Sequence, residues 1–326
     1  MKKLKLVLLG LVLLVVLTSC GKNGTNIVIY SCTEDYKNEF YLAELQKQFP
    51  DYNFTLDYQG SGPAAAKLKA EGLQTQGDIL LSWEYTYLDM LTDYLADVSY
   101  FDTSMYLDDM LSPSKRYVPE CRNSGAIVVN TELLAEKGLS EPKSYQDLLK
   151  PEYEGLLSMP NPKSSGTGYM FLRVLTNAWG DEKTFEYFDG FAQNIVQFTS
   201  SGSGPINALV QKEAAIALGM TAQAVTMINE GAPLKILFFE EGAPFSQYGH
   251  AMTKKAEGRD DYDKLKEVFD YLVKVVTPAC DAKFFPEQVF VDKVFSLPNY
   301  PENIPYGDMS NNSTEEKTRL LEKWMY

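Results

Sequence analysis

Residues 26–31 read NIVIYS, residues 54–59 read FTLDYQ and residues 78–83 read DILLSW. Each is a short run rich in β-branched or aromatic side chains, and each leads into a stretch that suits a helix. After the first, within residues 34–48 and just beyond, Phe40, Leu42, Leu45 and Phe49 predict a buried helical stripe. After the second, residues 63–71 are alanine-rich and opened by Gly60-Ser61-Gly62-Pro63; after the third, residues 87–94 suit a helix. This βαβαβ rhythm predicts a largely parallel sheet covered by helices, with ligands bound at loops beyond the carboxyl ends of the strands. Ser31, Cys32 and Thr33 end the first strand, and Trp83 and Glu84 end the third, which makes all five candidates for such a site.

Working outward, residues 117–130 (YVPECRNSGAIVVN) read as an extended segment, a turn at Asn123, Ser124 and Gly125, and a strand. A second rhythm follows, with strands at 156–159, 196–199, 214–218 and 234–239 alternating with helices at 167–179, 183–194, 205–212 and 222–229. Another extended run at 247–254 precedes an amphipathic helix at 262–275, and a last helix is predicted at 315–324. Two α/β units fit a chain of 326 residues, given roughly 100–200 residues per domain. The fold class is α/β, and two such units suggest a hinged binder.

The composition, 45% hydrophobic and 23% charged, is that of a folded protein. Thirty basic residues against 44 acidic ones leave a formal charge of −14, which argues against a nucleic-acid partner because such binding draws on basic side chains that neutralise phosphates. One histidine and four cysteines are too few for the usual zinc clusters, so neither metal nor cofactor is expected. No nucleophile–base pair and no cofactor fingerprint stands out, which disfavours an exported enzyme. His250 is read as a structural residue in a crossing strand.

Residues 1–20 read MKKLKLVLLGLVLLVVLTSC. Lys2, Lys3 and Lys5 flank an apolar stretch at 6–17 that is too short for a membrane span of about 20 residues but fits the core of an export signal. Its ending, Leu17-Thr18-Ser19-Cys20, resembles a bacterial lipobox, in which the cysteine is lipidated and becomes the first mature residue. On that reading residues 1–19 are a signal peptide, residues 20–25 a lipidated tether, and the body is held through Cys20 at the extracytoplasmic face of the cell membrane. Cys32, Cys121 and Cys280 remain in the body; the count is odd, so at least one is free or pairs outside the chain.

Residues 161–170, NPKSSGTGYM, lie between a predicted strand and a long apolar-striped helix. Ser164, Ser165 and Thr167 offer hydroxyls there, while Gly166 and Gly168 let the backbone approach a ligand, so the helix opening can hold an oxyanion. The bland alternative is that Ser or Thr caps the helix. Ser61 and Gly62 belong to a similar opening, and residues 200–205 (SSGSGP) form a third. Three openings of one kind, each after a predicted strand, favour a shared cleft.

With these segments in place, the chain resembles the extracellular solute-binding proteins of ABC importers, in the type II periplasmic-binding branch that holds ferric-ion, aminoethylphosphonate and hexose-phosphate binders. The resemblance rests on DILLSWEYTYLDML (78–91), GAIVVNTELL (125–134), PEYEGLLSMPNPKSSGTGY (151–169), VQKEAAIALGMTAQAV (210–225) and FFEEGAPF (238–245), in that order and spacing. It implies a two-lobed type II fold with a hinge and an interlobe ligand cleft. Lobe one would comprise residues 26–121 and 247–292, and lobe two residues 122–246 and 293–326, with the hinge near 121–125 and 240–246. It also implies a monomer that partners an ABC permease and ATPase complex. Ferric binders of the branch carry adjacent tyrosines where this chain reads Gly219-Met220-Thr221-Ala222-Gln223-Ala224, which removes the phenolates that would neutralise Fe³⁺.

The expectation is therefore an importer receptor for a small anionic or zwitterionic solute, an organic phosphonate or phosphate ester, with 2-aminoethylphosphonate slightly ahead of hexose phosphate. A ferric-ion or polyamine receptor is the alternative, followed by an exported enzyme or a structural lipoprotein. Thr221 and Gln223 would extend the polar wall, Trp83 would cover an organic tail or a cation, and Glu240 or Glu241 at the hinge would meet an ammonium or sugar hydroxyls.

Overall fold

Apart from an unexpected short helix at Thr131–Glu136, the strands and helices form in the order the rhythm predicts, in a computed structural model that describes residues 25–326; the signal, Cys20 and residues 21–24 lie outside the described residues. In chain order the first unit comprises β1 (Asn26–Ser31), α1 (Asp35–Gln48), β2 (Asn53–Tyr58), α2 (Ser61–Glu71), β3 (Ile79–Glu84) and α3 (Tyr85–Met90). Then come β4 (Val118–Asn130), α4 (Thr131–Glu136), β5 (Leu157–Pro160), α5 (Gly166–Trp179), α6 (Asp181–Asn194), β6 (Ile195–Thr199), α7 (Gly204–Val210), β7 (Ile216–Met220), α8 (Thr221–Asn229) and β8 (Leu234–Leu237). The chain closes with β9 (Phe245–Met252), α9 (Tyr262–Tyr271), α10 (Thr277–Phe284) and α11 (Thr314–Lys323).

In lobe one β1 runs parallel to both β2 and β3, with Ile29 opposite Leu56 on one side and Ile79 on the other. β3 is buried along its whole length, as befits a central strand covered on both faces. Tyr41 and Leu45 of α1 pack with Val268, Leu272 and Val276 of the α9 region on one face, while Ala64 and Leu68 of α2 pack with Tyr87 and Leu88 of α3 on the other. Lobe two repeats the scheme. Phe171 and Leu175 of α5 and Tyr187, Phe188 and Phe191 of α6 cover one face, and Ile206 and Leu209 of α7 with Ala224 of α8 cover the other. α11 docks here through Leu320 and Trp324; burying each such side chain stabilises the seat by about 1.5–3 kcal/mol.

Three expectations need correction. The sheet is mixed rather than largely parallel, because β9 lies antiparallel between β3 and β4, and β4 pairs antiparallel with β7 and β8. The expected turn at Asn123, Ser124 and Gly125 does not form. β4 passes straight through, paired with β9 up to Ser124 opposite Phe245 and with β7 from Gly125 opposite Met220, so one thirteen-residue strand joins the lobes. Gly125 signals close packing instead of a turn, since a Cβ there would lie 2.6 Å from the Met170 methyl. Finally, the helix expected at 262–275 continues through a π-helical turn at Leu272–Val276 into α10, where Pro278 lacks the amide that a regular α-helix would use.

Candidate functional site

The carboxyl ends of β1, β2, β5, β6 and β7 converge on one cleft between the lobes. Lobe one contributes Cys32, Thr33, Glu34 and Lys37 around the start of α1, Tyr58, Gly60 and Ser61 around the start of α2, and Ser82 of β3. Lobe two contributes Ser165, Gly166 and Thr167 at the start of α5, together with Gly202 and Met220. Cys121 and Asn123 of β4 and Tyr248 of β9 form the floor where the strands cross. The enclosed space is only water-sized, so the lobes are closed on one another.

The glycines make that closure possible. A Cβ on Gly62 would lie 2.1 Å from the Lys163 carbonyl oxygen, and one on Gly60 would lie 2.6 Å from that of Ser164. The Gly62 amide donates to the Ser164 carbonyl at 3.4 Å, a backbone contact between lobes. Neither α2 nor α5 has a side-chain cap: the N-cap of α2 is Gly60, and Ser165, the N-cap of α5, makes no capping bond with its hydroxyl. The capping reading of the NPKSSGTGYM stretch therefore does not describe Ser165, whose hydroxyl is left to the cleft. Both helices leave first-turn amides without intrahelical partners and carry the positive end of their dipoles there.

Beneath the cleft Lys37, buried, donates to Glu120 Oε1 at 2.9 Å and to Ser82 Oγ at 3.4 Å, with its ammonium 4.0 Å from the Phe285 ring centre. Glu120 also accepts from Tyr41 at 2.9 Å and from the Ser82 hydroxyl. Burial is the largest influence on each and works against the charge, but the attraction between the two, joined by Glu34 near Lys37 and by the Ser82 hydroxyl on Glu120, outweighs it, holding the Lys37 ammonium well above its usual range and the Glu120 carboxyl below its own. Ser82 has φ of 60° at a bulge in β3, a strained position for a non-glycine residue. Its amide donates to His250 Nδ1 at 3.1 Å, so the His250 proton sits on Nε2, 3.0 Å from Thr277 Oγ1. His250 is structural, as expected, and burial lowers its pKa to about 4. Burial pushes the Glu34 carboxyl up against the pull of Lys37; it is the carboxylate that lines the cleft.

Of the residues singled out in the sequence, Cys32, Thr33, Ser61, Ser165, Gly166 and Thr167 meet in this cleft. Gly62 and Ser164 hold the lobes in contact behind it. Ser31 turns inward, donating to Asn38 Oδ1 at 2.6 Å. Trp83 is a core residue whose indole donates to the Tyr30 carbonyl at 2.9 Å. Glu84 is taken up by Lys317 and by Thr86. Thr221 accepts from Ser124 at 2.9 Å, and the Gln223 amide donates to Ser203 and Asn207, so both support the wall from beneath. Glu240 is exposed and Glu241 accepts from the Trp179 indole at 3.1 Å; neither lines the cleft, because the strand before them ends at Leu237, short of the crossing. Cys32, Cys121 and Cys280 are all free thiols. The sequence reading did not anticipate Glu34, Lys37, Tyr58, Ser82 or Tyr248. Spacing offered a signal for one of them, since Lys37, Tyr41 and Leu45 fall every fourth residue along α1.

Comparison with known proteins gives this architecture its place. The bacterial extracellular solute-binding protein family matches residues 93–307. The chain belongs to that family. This binding protein is accordingly a transport receptor and not an enzyme, with an extracytoplasmic place of work, and its family and fold are those of proteins that partner ABC permease and ATPase complexes. It is 24% identical over 322 residues to an uncharacterized protein of Haemophilus influenzae, an alignment that takes in 93% of this chain and 88% of the relative. The periplasmic binding protein AfuA from Actinobacillus pleuropneumoniae, with exogenous fructose-6-phosphate bound, superposes with a TM-score of 0.80 at 22% identity over 93% of this chain and 98% of that one. Iron-bound HitA from Pseudomonas aeruginosa gives 0.74 at 15% identity over 92% and 99%. Identities of this order speak for the shared type II bilobed fold.

Proposed function

We propose that this binding protein captures a small phosphate monoester or phosphonate and delivers it to an ABC importer, held at the membrane through a lipidated Cys20. The observation that carries the reading is the meeting of two uncapped, glycine-flanked helix starts, α2 from lobe one and α5 from lobe two, around Ser61, Ser165 and Thr167. An oxyanion stripped of water needs several donors, and backbone amides and hydroxyls from both lobes supply them. Lys37 adds a donor without adding net charge, because Glu120 balances it. Glu34, rather than Glu240 or Glu241, is the carboxylate placed to meet a hydroxyl or an ammonium at the other end of the ligand. Similar folds hold fructose-6-phosphate in one case and iron in another, which moves a sugar phosphate ahead of 2-aminoethylphosphonate.

Ferric iron is the second reading, favoured by the oxygen atoms of Glu34, Tyr58 and Tyr248 on one cleft. Against it, burial holds the Tyr248 phenol well above its ordinary value, although iron needs a phenolate, and the Lys37 ammonium lies beside the site. A polyamine would find a single carboxylate among the lining residues. Calorimetry on chelator-treated protein with fructose 6-phosphate, 2-aminoethylphosphonate, inorganic phosphate, spermidine and ferric citrate decides among them. Heat with a phosphorylated or phosphonate solute in the absence of metal is the expected result. Binding seen only with Fe³⁺, accompanied by a visible phenolate-to-iron absorption band, overturns it.

A further inference from the structure

Lys317 is a buried lysine from one lobe whose partners lie largely in the other. Its side chain and that of Glu84 are each 1% exposed, and the two form an ion pair. The ammonium also sits 3.6 Å from the Tyr87 ring centre and 4.4 Å from that of Tyr169. Glu84 ends β3 and caps α3, its other oxygen accepting from the Thr86 amide at 3.1 Å and the Thr86 hydroxyl at 2.6 Å, so it is fixed in lobe one. Tyr87, on α3, is part of the same core. Lys317 is fixed in lobe two. Its helix is seated by Leu320 and Trp324, by Glu316 accepting from Arg173 at 2.8 Å, and by the Arg319 and Lys323 pairs with Asp181. Parting the lobes must therefore separate Lys317 from Glu84 or pull α11 off its seat.

We propose that Lys317 is a closed-state latch, a positioning residue whose pairing with Glu84 the closed form requires, independently of which solute is bound. Its reach to the cleft is short, because Tyr169 belongs to α5, and a Cβ on Gly166 at the start of that helix would lie 3.5 Å from Glu84 Cβ. Ligand at the α5 opening and Lys317 behind it therefore act on the same helix. The pair is desolvated only when the lobes are closed. On opening, both groups regain water, so the intact pair shifts the equilibrium gently, whereas removing one partner makes closure bury an unpaired charge. Apparent affinity then falls with the closed fraction.

The inference rests on the two-lobed receptor reading but not on the identity of the solute, and its test separates the two. Small-angle scattering of the protein without added ligand is compared for the parent, Lys317→Met, Glu84→Gln and the double variant. The parent is expected to fit the closed form, each single variant to give a larger radius of gyration, and the double variant to return part of the way, since closing it buries no orphan charge. Fructose 6-phosphate, used as the probe, should bind at least about tenfold more weakly to Lys317→Met. Scattering of Lys317→Met identical to the parent overturns the latch, whatever its melting temperature, as does an open parent. A parent that closes without binding fructose 6-phosphate counts against the proposed solute and leaves the latch supported by the scattering.

Discussion

Lys37 and Lys317 are the same chemical device in two settings. Both are buried, both pair with a buried glutamate, and both place the ammonium over aromatic rings. Lys37 and its partners all belong to lobe one, where Glu120 accepts three hydrogen bonds and, with Glu34 nearby, its attraction keeps the lysine pKa raised despite burial. Lys317 meets its glutamate across the lobes, and there burial prevails, lowering its pKa even though Glu84 draws it the other way. A buried pair inside one rigid body is scaffold, because it persists in every state of the receptor. The same pair across a cleft contributes to one state only and so becomes part of the motion.

The largest effect that tests this contrast is on folding. Lys37→Met leaves Glu120 buried without its counter-charge, and breaking such a pair costs about 3–5 kcal/mol. Urea unfolding should show that loss with or without ligand, whereas Lys317→Met, whose orphaned Glu84 regains water by opening, should lose much less. Equal losses for the two variants would remove the distinction between scaffold and latch.

The next effect comes from the proton balance of the same lobe-one network. The His250 pKa of about 4 lies below the unfolded value near 6.5, so its neutral form stabilises the fold above pH 6.5 and that contribution is lost as pH falls toward 4. At about 1.4 kcal/mol per unit the loss reaches about 3 kcal/mol. Asp281 works in the opposite sense. It is buried, neither oxygen has a partner among the described residues, and burial raises its pKa well above the usual carboxylate range, so it costs stability as pH rises above about 4. Asp281→Asn should therefore be more stable than the parent at pH 7, converge with it near pH 4, and show the His250 acid loss more steeply. Stability of that variant that stays flat from pH 7 to pH 4.5, by urea midpoints, would refute the assignment.

These groups also mark where the sequence could be read and where it could not. The βαβαβ rhythm and the NPKSSGTGYM opening were legible because strand alternation, glycine and helix starts are local properties, and they led to Cys32, Thr33, Ser61, Ser165, Gly166 and Thr167. The expected α1 stripe is half right: Leu45 and Phe49 are buried, whereas Phe40 and Leu42 are half-buried, and the fully buried line runs Lys37, Tyr41, Leu45, which escapes the pattern because a lysine does not count as apolar in any periodicity. Ser82 with positive φ and the pairing of Lys317 with Glu84, 233 residues apart, leave no local trace. Glu240 and Glu241 miss the cleft for a related reason, since a strand that ends two residues early, at Leu237 rather than Phe239, sends its following residues to another surface.

Gly62 separates closure from folding more cleanly than either lysine. Alanine is the better helix former by up to about 1 kcal/mol, so Gly62→Ala in the first turn of α2 should leave lobe one intact or slightly stabler. The added Cβ would still lie 2.1 Å from the Lys163 carbonyl oxygen when the lobes close, and backbone cannot move aside cheaply. Affinity for the solute identified by calorimetry should fall by roughly a hundredfold while the melting temperature holds or rises. A fall in both would mean that Gly62 serves the fold of α2 rather than the approach of the lobes.

The smallest effect belongs to Ser165, and it tests the cleft rather than the closure. Its hydroxyl makes no capping bond to α5, so Ser165→Ala removes no intrahelical partner and the melting temperature should match the parent. If that hydroxyl meets an anionic oxygen of the ligand, its loss costs about 1.5 kcal/mol, the lower end for a hydrogen bond to a charged group, because the amides at the helix start remain in place. That corresponds to about a tenfold rise in the dissociation constant. The change should be the same for a sugar phosphate and for a phosphonate, since both present the same oxyanion to α5, while a substitution at Glu34 should separate them through the other end of the molecule. Titrations of Ser165→Ala and Glu34→Gln with both solutes, at one ionic strength, give four ratios. A Ser165 effect that depends on the solute would move the phosphorus group away from α5, and no effect on either solute would leave the α5 opening with backbone donors alone.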